Sequence, residues 1–251
     1  MNLKQIKTIF YDTVNMKKKY SLILPCYNEF ENLKLLIPQV IKYLPKGNHE
    51  IIVVDDNSED STIKRLKIKF KSKKNIKYIL RKKKPSLGLS IKEGILKSKG
   101  KNIIVMDTDF NHTPKDLKQM IEKFNTNNYD LVCGSRFIKG GYSSTFFRHH
   151  SSLLFNFYIN LITKGKISDN LSGFFIIRKS LINNLINKIF FGYGDFYIRL
   201  LYYMQRKKIN IIEIPTKYAP RKFGVSKSKL INMFFTYSIA ATKLIVSDKF
   251  K

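Results

Sequence analysis

Ile103-Ile104-Val105-Met106-Asp107-Thr108-Asp109-Phe110-Asn111-His112 runs from a strand-like apolar segment into an acidic turn. Four apolar residues run directly into two carboxylates one residue apart. A short continuous apolar run bounded by a turn reads as a strand buried on both faces, as in parallel sheets. Its C-terminal end then carries Asp107 and Asp109, at the edge where open α/β sheets bind ligands. Two carboxylates on one turn can aim at a single hard cation. Mg²⁺ or Mn²⁺ is commonly held by one or two carboxylates plus substrate phosphates. The competing reading is a solvated turn, because Asp is common in turns for backbone reasons alone.

The sequence before this stretch repeats one unit. Tyr20–Leu24 is a short apolar strand closed by Pro25, followed by Cys26-Tyr27-Asn28-Glu29. Leu33, Leu36, Ile37, Val40, Ile41 and Leu44 then recur at helical spacing. Asn28 is placed to cap this helix with Glu31 at the third position, and Pro38 is expected to kink or shorten it. A second strand runs from Glu50 into Asp55 and Asp56. Asp60 or Ser61 caps a basic helix over 62–70, and a third strand covers 75–80. A helix over 90–99 leads into the fourth strand, 101–106. Three strand–helix units before the acidic pair predict a doubly wound, Rossmann-like α/β fold with a mostly parallel sheet. No G-x-G-x-x-G follows the first strand, which argues against a nicotinamide dehydrogenase.

After the acidic pair, Thr113 and Pro114 open a helix to Phe124. A fifth strand over 129–133 delivers Gly134-Ser135-Arg136. Asp169-Asn170-Leu171-Ser172-Gly173 turns into a further strand, with helices over 179–186 and from about 195 to 207 and a last strand over 210–214. The chain divides into an arm over 1–19, one α/β domain over 20–228 and a C-terminal helical segment over 229–251.

Composition narrows the partners. Lys and Arg number 47 against 18 Asp and Glu, a formal net charge of +29. Such a chain seeks a polyanion: nucleic acid, an anionic membrane surface or phosphorylated ligands. The alternative is biased usage, since Lys, Asn and Ile are all abundant. Cys26 and Cys133 have neither disulfide-framework nor zinc spacing and read as reduced, buried strand-end residues. No apolar N-terminal h-region marks a signal peptide, and no run approaches the roughly 20 apolar residues of a membrane span. Two segments are apolar and uncharged over thirteen residues, 151–163 and 230–242, both flanked by basic residues. The first reads as a core-packing helix or a helix lying in a membrane interface, the second as an interfacial helix or a helix docking on a partner.

Six motifs occur in order: Leu24-Pro25-Cys26-Tyr27-Asn28-Glu29, Val53-Val54-Asp55-Asp56-Asn57-Ser58, Met106-Asp107-Thr108-Asp109, Gly134-Ser135-Arg136-Phe137, Leu171-Ser172-Gly173-Phe174 and Arg221-Lys222-Phe223-Gly224-Val225-Ser226-Lys227. Together they resemble the family-2, GT-A-fold glycosyltransferases over residues 20–230. Within these the chain looks most like the polyprenyl-phosphate sugar synthases of the dolichol-phosphate mannose type. The resemblance implies a nucleotide half over about 20–112 and an acceptor half over 113–228. Pro25, Tyr27, Glu29, Val54 and Asp56 would hold the nucleoside. Asp107, Thr108 and Asp109 would hold the divalent ion and the diphosphate, with Asn111 at a third metal position where the mannose synthases carry Gln. Arg136, Arg221 and Lys227 would grip donor phosphates, Asp107, Asp109 and Arg136 forming the catalytic set. Arg148 and Ser152 would receive the acceptor phosphate.

The implied reaction transfers a sugar, mannose from GDP-mannose foremost, to a polyprenyl or dolichyl phosphate, with Mg²⁺ or Mn²⁺ as cofactor. It is inverting and gives a β-linked lipid-phosphate sugar. A lipid monophosphate is already an anionic nucleophile, so no general base is required. That suits a chain whose histidines, His49, His112, His149 and His150, form no acid–base set. His112 reads as a ligand, a neighbour of the ligands or a satisfied turn residue. The implied setting is the cytoplasmic face of a membrane, held peripherally: endoplasmic reticulum in a eukaryote, plasma membrane in a prokaryote. It leaves room for a small membrane subunit. Asn111 and Gly192-Tyr193-Gly194-Asp195 depart from the mannose synthases, which leaves glucose or another hexose from a UDP-sugar, and a cell-wall acceptor, open. A basic nucleic-acid-binding protein is the rival from another class. It is disfavoured because the charge is spread along the chain and no nucleic-acid fold signature appears.

Overall fold

The computed structural model describes residues 19–126, 128–143, 146–219, 222–223 and 230–249. Side chains at 143, 146–148, 230–232 and 248–249 stand outside that description. The elements run β1 (Tyr20–Cys26), α1 (Phe30–Tyr43), β2 (His49–Asp55), α2 (Thr62–Lys69), β3 (Ile76–Leu80), α3 (Leu87–Lys97) and β4 (Asn102–Val105). Then come α4 (Pro114–Thr126), β5 (Leu131–Ser135), β6 (Tyr142–Ser143), α5 (Phe146–Thr163) and β7 (Phe175–Arg178). Last are α6 (Lys179–Ile182), α7 (Ile186–Ile189), α8 (Asp195–Arg206), β8 (Ile211–Pro215), β9 (Lys217–Tyr218) and α9 (Leu230–Lys249).

Seven strands form one sheet in the order β3-β2-β1-β4-β7-β5-β8. β7 alone among them runs antiparallel, to both β4 and β5. The chain winds outward through β1, β2 and β3, then returns to lay β4 on the other side of β1. That reversal is a topological switch point, where a crevice opens beyond the carboxyl ends of the strands.

Both faces of the sheet are covered, so its central strands are buried along their whole length. Alternation assigns side chains to the two faces. Leu22, Leu24, Ile51 and Val53 pack under Leu33, Leu36, Leu117 and Met120 of α1 and α4. Ile23, Ile52 and Val54 pack under Ile91 and Ile95 of α3, in the core shared with Leu200 and Met204 of α8. A third, smaller core joins α5, α8 and α9 through Ile159, Ile198, Tyr202, Tyr237, Ala241 and Leu244.

Local chemistry differs from the sequence expectation in three places. Asn28 does not cap α1: it has a φ of 56°, and its side chain instead accepts the Glu59 amide at 2.8 Å. The left-handed region suits Asn because its short polar side chain bonds locally. α1 runs through Pro38 to Tyr43 without a break. α3 begins at Leu87, not Ser90, because the Ser86 hydroxyl accepts the Leu89 amide as an N-cap. Both cysteines are free and buried, as expected.

Candidate active site

A cleft of about 480 Å³ lies beyond the carboxyl ends of β1, β2 and β4. Pro25, Cys26, Tyr27 and Glu29, where β1 meets α1, form one side of it. Asp56 continues β2 into its floor, with Pro85, Ser86 and Leu87 beside it. Asp107, Thr108, Asp109 and Asn111 form the middle. Leu171–Gly173, Tyr193, Gly194, Tyr218, Met233 and Tyr237 close the far wall.

Asp56 is buried, and its carboxylate is shared by the Arg81 guanidinium and the Ser86 amide. Burial holds its carboxyl above the ordinary carboxylate range, against the pull of Ser86 and Arg81. Arg81 also reaches Ser90 Oγ at 3.1 Å. The start of α3 is thereby fastened to the end of β2. Glu29 accepts the Asn32 amide at 2.5 Å, and the same amide donates to the Phe223 carbonyl at 3.2 Å. Val54 does not face the cleft. It is fully buried in the α3 side of the core, because residues of β2 alternate and only Asp56, just past the strand's last residue Asp55, enters the cleft.

The acidic pair sits on a tightly braced turn. Phe110 has a φ of 68°, a strained value for an aromatic residue, and the chain doubles back there. The Asn111 amide N–H donates to Asp109 Oδ1 at 3.0 Å, and Asn111 Nδ2 donates to Asp109 Oδ2 at 2.8 Å. Nδ2 also meets the Tyr218 hydroxyl at 2.7 Å. The resemblance implies that Asn111 offers its amide oxygen to the cation. Here its nitrogen braces Asp109 instead, and the oxygen would serve only after the amide turned over. The chain after β9 folds over this turn: the Ala219 amide donates to the Asn111 carbonyl at 3.1 Å and the Lys222 amide to the Asp109 carbonyl at 3.3 Å. Asp109 is buried, while the Asp107 side chain is 35% exposed. Among the described residues no three acidic, histidine or cysteine side chains gather into a cation cage. A pair of oxygen donors opening onto a cleft nevertheless fits a cation that takes its other ligands from phosphates and water.

Arg136 is placed differently from the implied phosphate contact. Its Nε and NH2 donate to the two Asp169 carboxylate oxygens at 2.7 and 2.8 Å, and its backbone amide donates to the same carboxylate at 3.0 Å. Asp169 is fully buried, and Arg136 does not line the cleft. The guanidinium also lies over the Tyr218 ring, 5.1 Å from its centroid. An isolated buried carboxylate would be costly, so the fork that could grip a phosphate neutralises Asp169 instead. His112 is buried against Phe174. Burial pushes its imidazole down to about 4, with Asp109 and the Ser172 backbone pulling the other way.

Ser152 lies partly buried on α5, away from the cleft lining, and its carbonyl accepts Asn156 Nδ2 at 2.8 Å. Arg148 falls in the first turn of α5, with its side chain outside the described residues; Arg221 and Lys227 lie wholly outside them.

Several contributors escape the sequence reading. Tyr218, Tyr193, Met233 and Tyr237 line the cleft from segments far along the chain. Gly194 admits the Tyr237 hydroxyl where any Cβ would collide with it. Only the glycine spacing of 192–194 hints at such a close approach.

The profile of glycosyl transferase family 2 matches residues 21–186. The chain belongs to that family. A dolichol-phosphate mannosyltransferase of Pyrococcus furiosus is 32% identical over 225 residues, covering 84% of this chain and 59% of the relative. The chain thus spans well under two thirds of that relative's length. A dolichyl-phosphate beta-glucosyltransferase of Dictyostelium discoideum is 29% identical, covering 92% of this chain and 74% of the relative. Among solved structures, glucosyl-3-phosphoglycerate synthase of Mycobacterium tuberculosis, determined with Mn²⁺, UDP and glucosyl-3-phosphoglycerate, superposes with a TM-score of 0.69. It is 16% identical and covers 91% of this chain and 80% of that one. This family 2 glycosyltransferase therefore has the GT-A fold.

Proposed function

We propose that this family 2 glycosyltransferase moves a hexose from a nucleoside-diphosphate sugar to a polyprenyl or dolichyl phosphate, with inversion. The observation that carries this is the single cleft joining Asp107–Asp109 to the Pro25–Glu29 turn and Asp56. A switch-point crevice of this kind suits a nucleotide, with acceptors for base and ribose at one end and oxygen donors for a cation-bound diphosphate at the other. Glu29 and Asp56 accept from base and ribose. Asp107 and Asp109 hold the diphosphate end through a divalent ion. Bound there, Mg²⁺ or Mn²⁺ would supply positive charge to offset that developing on the departing nucleoside diphosphate. The incoming lipid phosphate attacks from the opposite face, so an α-linked donor gives a β-linked product. Arg148, Arg221 and Lys227 carry the acceptor and donor phosphates in this proposal.

Mannose from GDP-mannose is the first reading, supported by the Pyrococcus relative. Glucose from a UDP-sugar is the second, favoured by the Dictyostelium relative and its longer coverage. The acceptor places the enzyme at a membrane, and α5 and α9 supply the surface. Leu154, Phe157 and Leu161 on α5 and Phe235 and Ile239 on α9 are more than half exposed. No described helix is long and apolar enough to cross a bilayer. Apolar helix faces on a strongly basic chain fit peripheral binding to an anionic leaflet.

The test is a donor panel. GDP-mannose, UDP-glucose and UDP-N-acetylglucosamine are offered with Mn²⁺ and a short polyprenyl phosphate. One donor is expected to transfer; transfer from none overturns the proposal. Arg148→Ala is expected to raise the acceptor KM more than the donor KM.

A further inference from the structure

His112 follows Asn111 on the loop that carries the acidic pair, and it is 1% exposed. Its ring stacks on Phe174 with centroids 4.7 Å apart and meets Tyr218 edge-on at 5.9 Å. Neither ring nitrogen makes a hydrogen bond of ordinary geometry. Nδ1 stands 3.7 Å from Asp107 Oδ2. Buried polar atoms are nearly always satisfied, and an imidazole with only a loose contact to the Ser172 backbone, beside a charged cleft, calls for a cause. An imidazole that served only as filler would be better replaced by an apolar ring.

The geometry supplies the cause. The stack on Phe174 fixes the plane of the ring and aims its Nδ1 edge at Asp107. Asp107 is the less buried of the two partners and lines the cleft. A shift of under an ångström would turn the 3.7 Å approach into a hydrogen bond. A carboxylate that gives one oxygen to a cation still accepts an N–H on the other. We propose that His112 is a positioning residue for Asp107: its ring N–H holds one carboxylate oxygen so that the other faces the cation. Partners behind a ligand commonly set the ligand's orientation and the affinity of the site. This inference rests on the cation reading made under the proposed function.

The test measures Mn²⁺ affinity directly, by the electron paramagnetic resonance signal of free Mn²⁺, with and without a nucleoside diphosphate. His112→Phe keeps the ring and its stack and removes the N–H. His112→Asn returns an amide N–H near the position of Nδ1. His112→Phe is expected to bind Mn²⁺ about 10- to 100-fold more weakly, with its melting temperature held. His112→Asn is expected to recover most of the loss. At saturating Mn²⁺ the turnover of both is expected to approach wild type, so the effect falls on the KM for Mn²⁺. Unchanged affinity in His112→Phe overturns the proposal. So does a folded His112→Asn that binds as weakly as the Phe variant, because packing alone would then explain the loss. If His112→Phe fails to fold, the Asn variant decides. Asp107→Ala separates the two levels. Should the wild type take up no Mn²⁺ at all, the cation reading falls and His112 with it. Should Asp107→Ala lose Mn²⁺ while His112→Phe keeps it, only the role of His112 falls.

Discussion

Replacing Arg136 by methionine leaves the Asp169 carboxylate buried without a counter-charge. Breaking a buried pair from one side costs about 3–5 kcal/mol. The expected result is a large drop in unfolding free energy by urea titration, whatever happens to activity. An arginine serving only substrate phosphates would lose turnover and keep its stability. Asp107→Ala is expected to do the reverse. Its side chain is partly exposed and faces the cleft, so the melting temperature should hold. Cation-dependent transfer should fall by about 100-fold or more, the scale seen when a fixed electrostatic contact to a developing charge is removed. Retained transfer would remove Asp107 from the site. The acidic pair was legible in the sequence because strand, turn and carboxylates are contiguous. The true partner of Arg136 was not, because Asp169 is 33 residues away and only the fold brings them together.

The α5 and α9 pair carries its own expectation. Tyr158 of α5 stacks on Phe234 of α9 with centroids 5.9 Å apart, and Phe155 meets the same ring at a tilt with centroids 5.0 Å apart, while Leu154, Phe157 and Phe235 are exposed. Leu154→Ser with Phe157→Ser removes outward apolar area without touching the stack. Co-flotation with anionic vesicles is expected to fall, while transfer to a short, water-soluble polyprenyl phosphate persists. Binding should also weaken with salt, since surface attraction is screened beyond about 10 Å at 0.1 M. Undiminished flotation would assign the membrane surface elsewhere. The sequence of the tail could mark α9 as apolar but not divide its faces. One side of α9, with Tyr237, Ala241 and Leu244, is core, and the other is bare. Only tertiary packing makes that division. The strand–helix order, by contrast, is written locally in apolar runs and turn residues, and it survives in the sheet with only β7 reversed.

Across the whole molecule the two thiols report on integrity. Burial raises Cys26 well above its ordinary value and pushes Cys133 up to about 12. The reactive thiolate is therefore suppressed in the native state. At pH 8 both are expected to resist a disulfide reagent until the protein unfolds, and then to react together. For Cys133 the sign is that of a raised acid: its stabilisation is whole below about 9 and is lost as pH climbs towards about 12. Fast labelling of Cys133 in the folded protein would contradict its burial. The closeness of Gly194 and Tyr237 has a practical consequence for anyone shortening this chain. Removing the greasy tail before Leu230 is the natural route to a better-behaved protein. It would also strip Met233 and Tyr237 from the cleft and uncover the third core. A trimmed protein that lost activity would then say nothing about lipid, because the missing helix is itself a wall of the cleft.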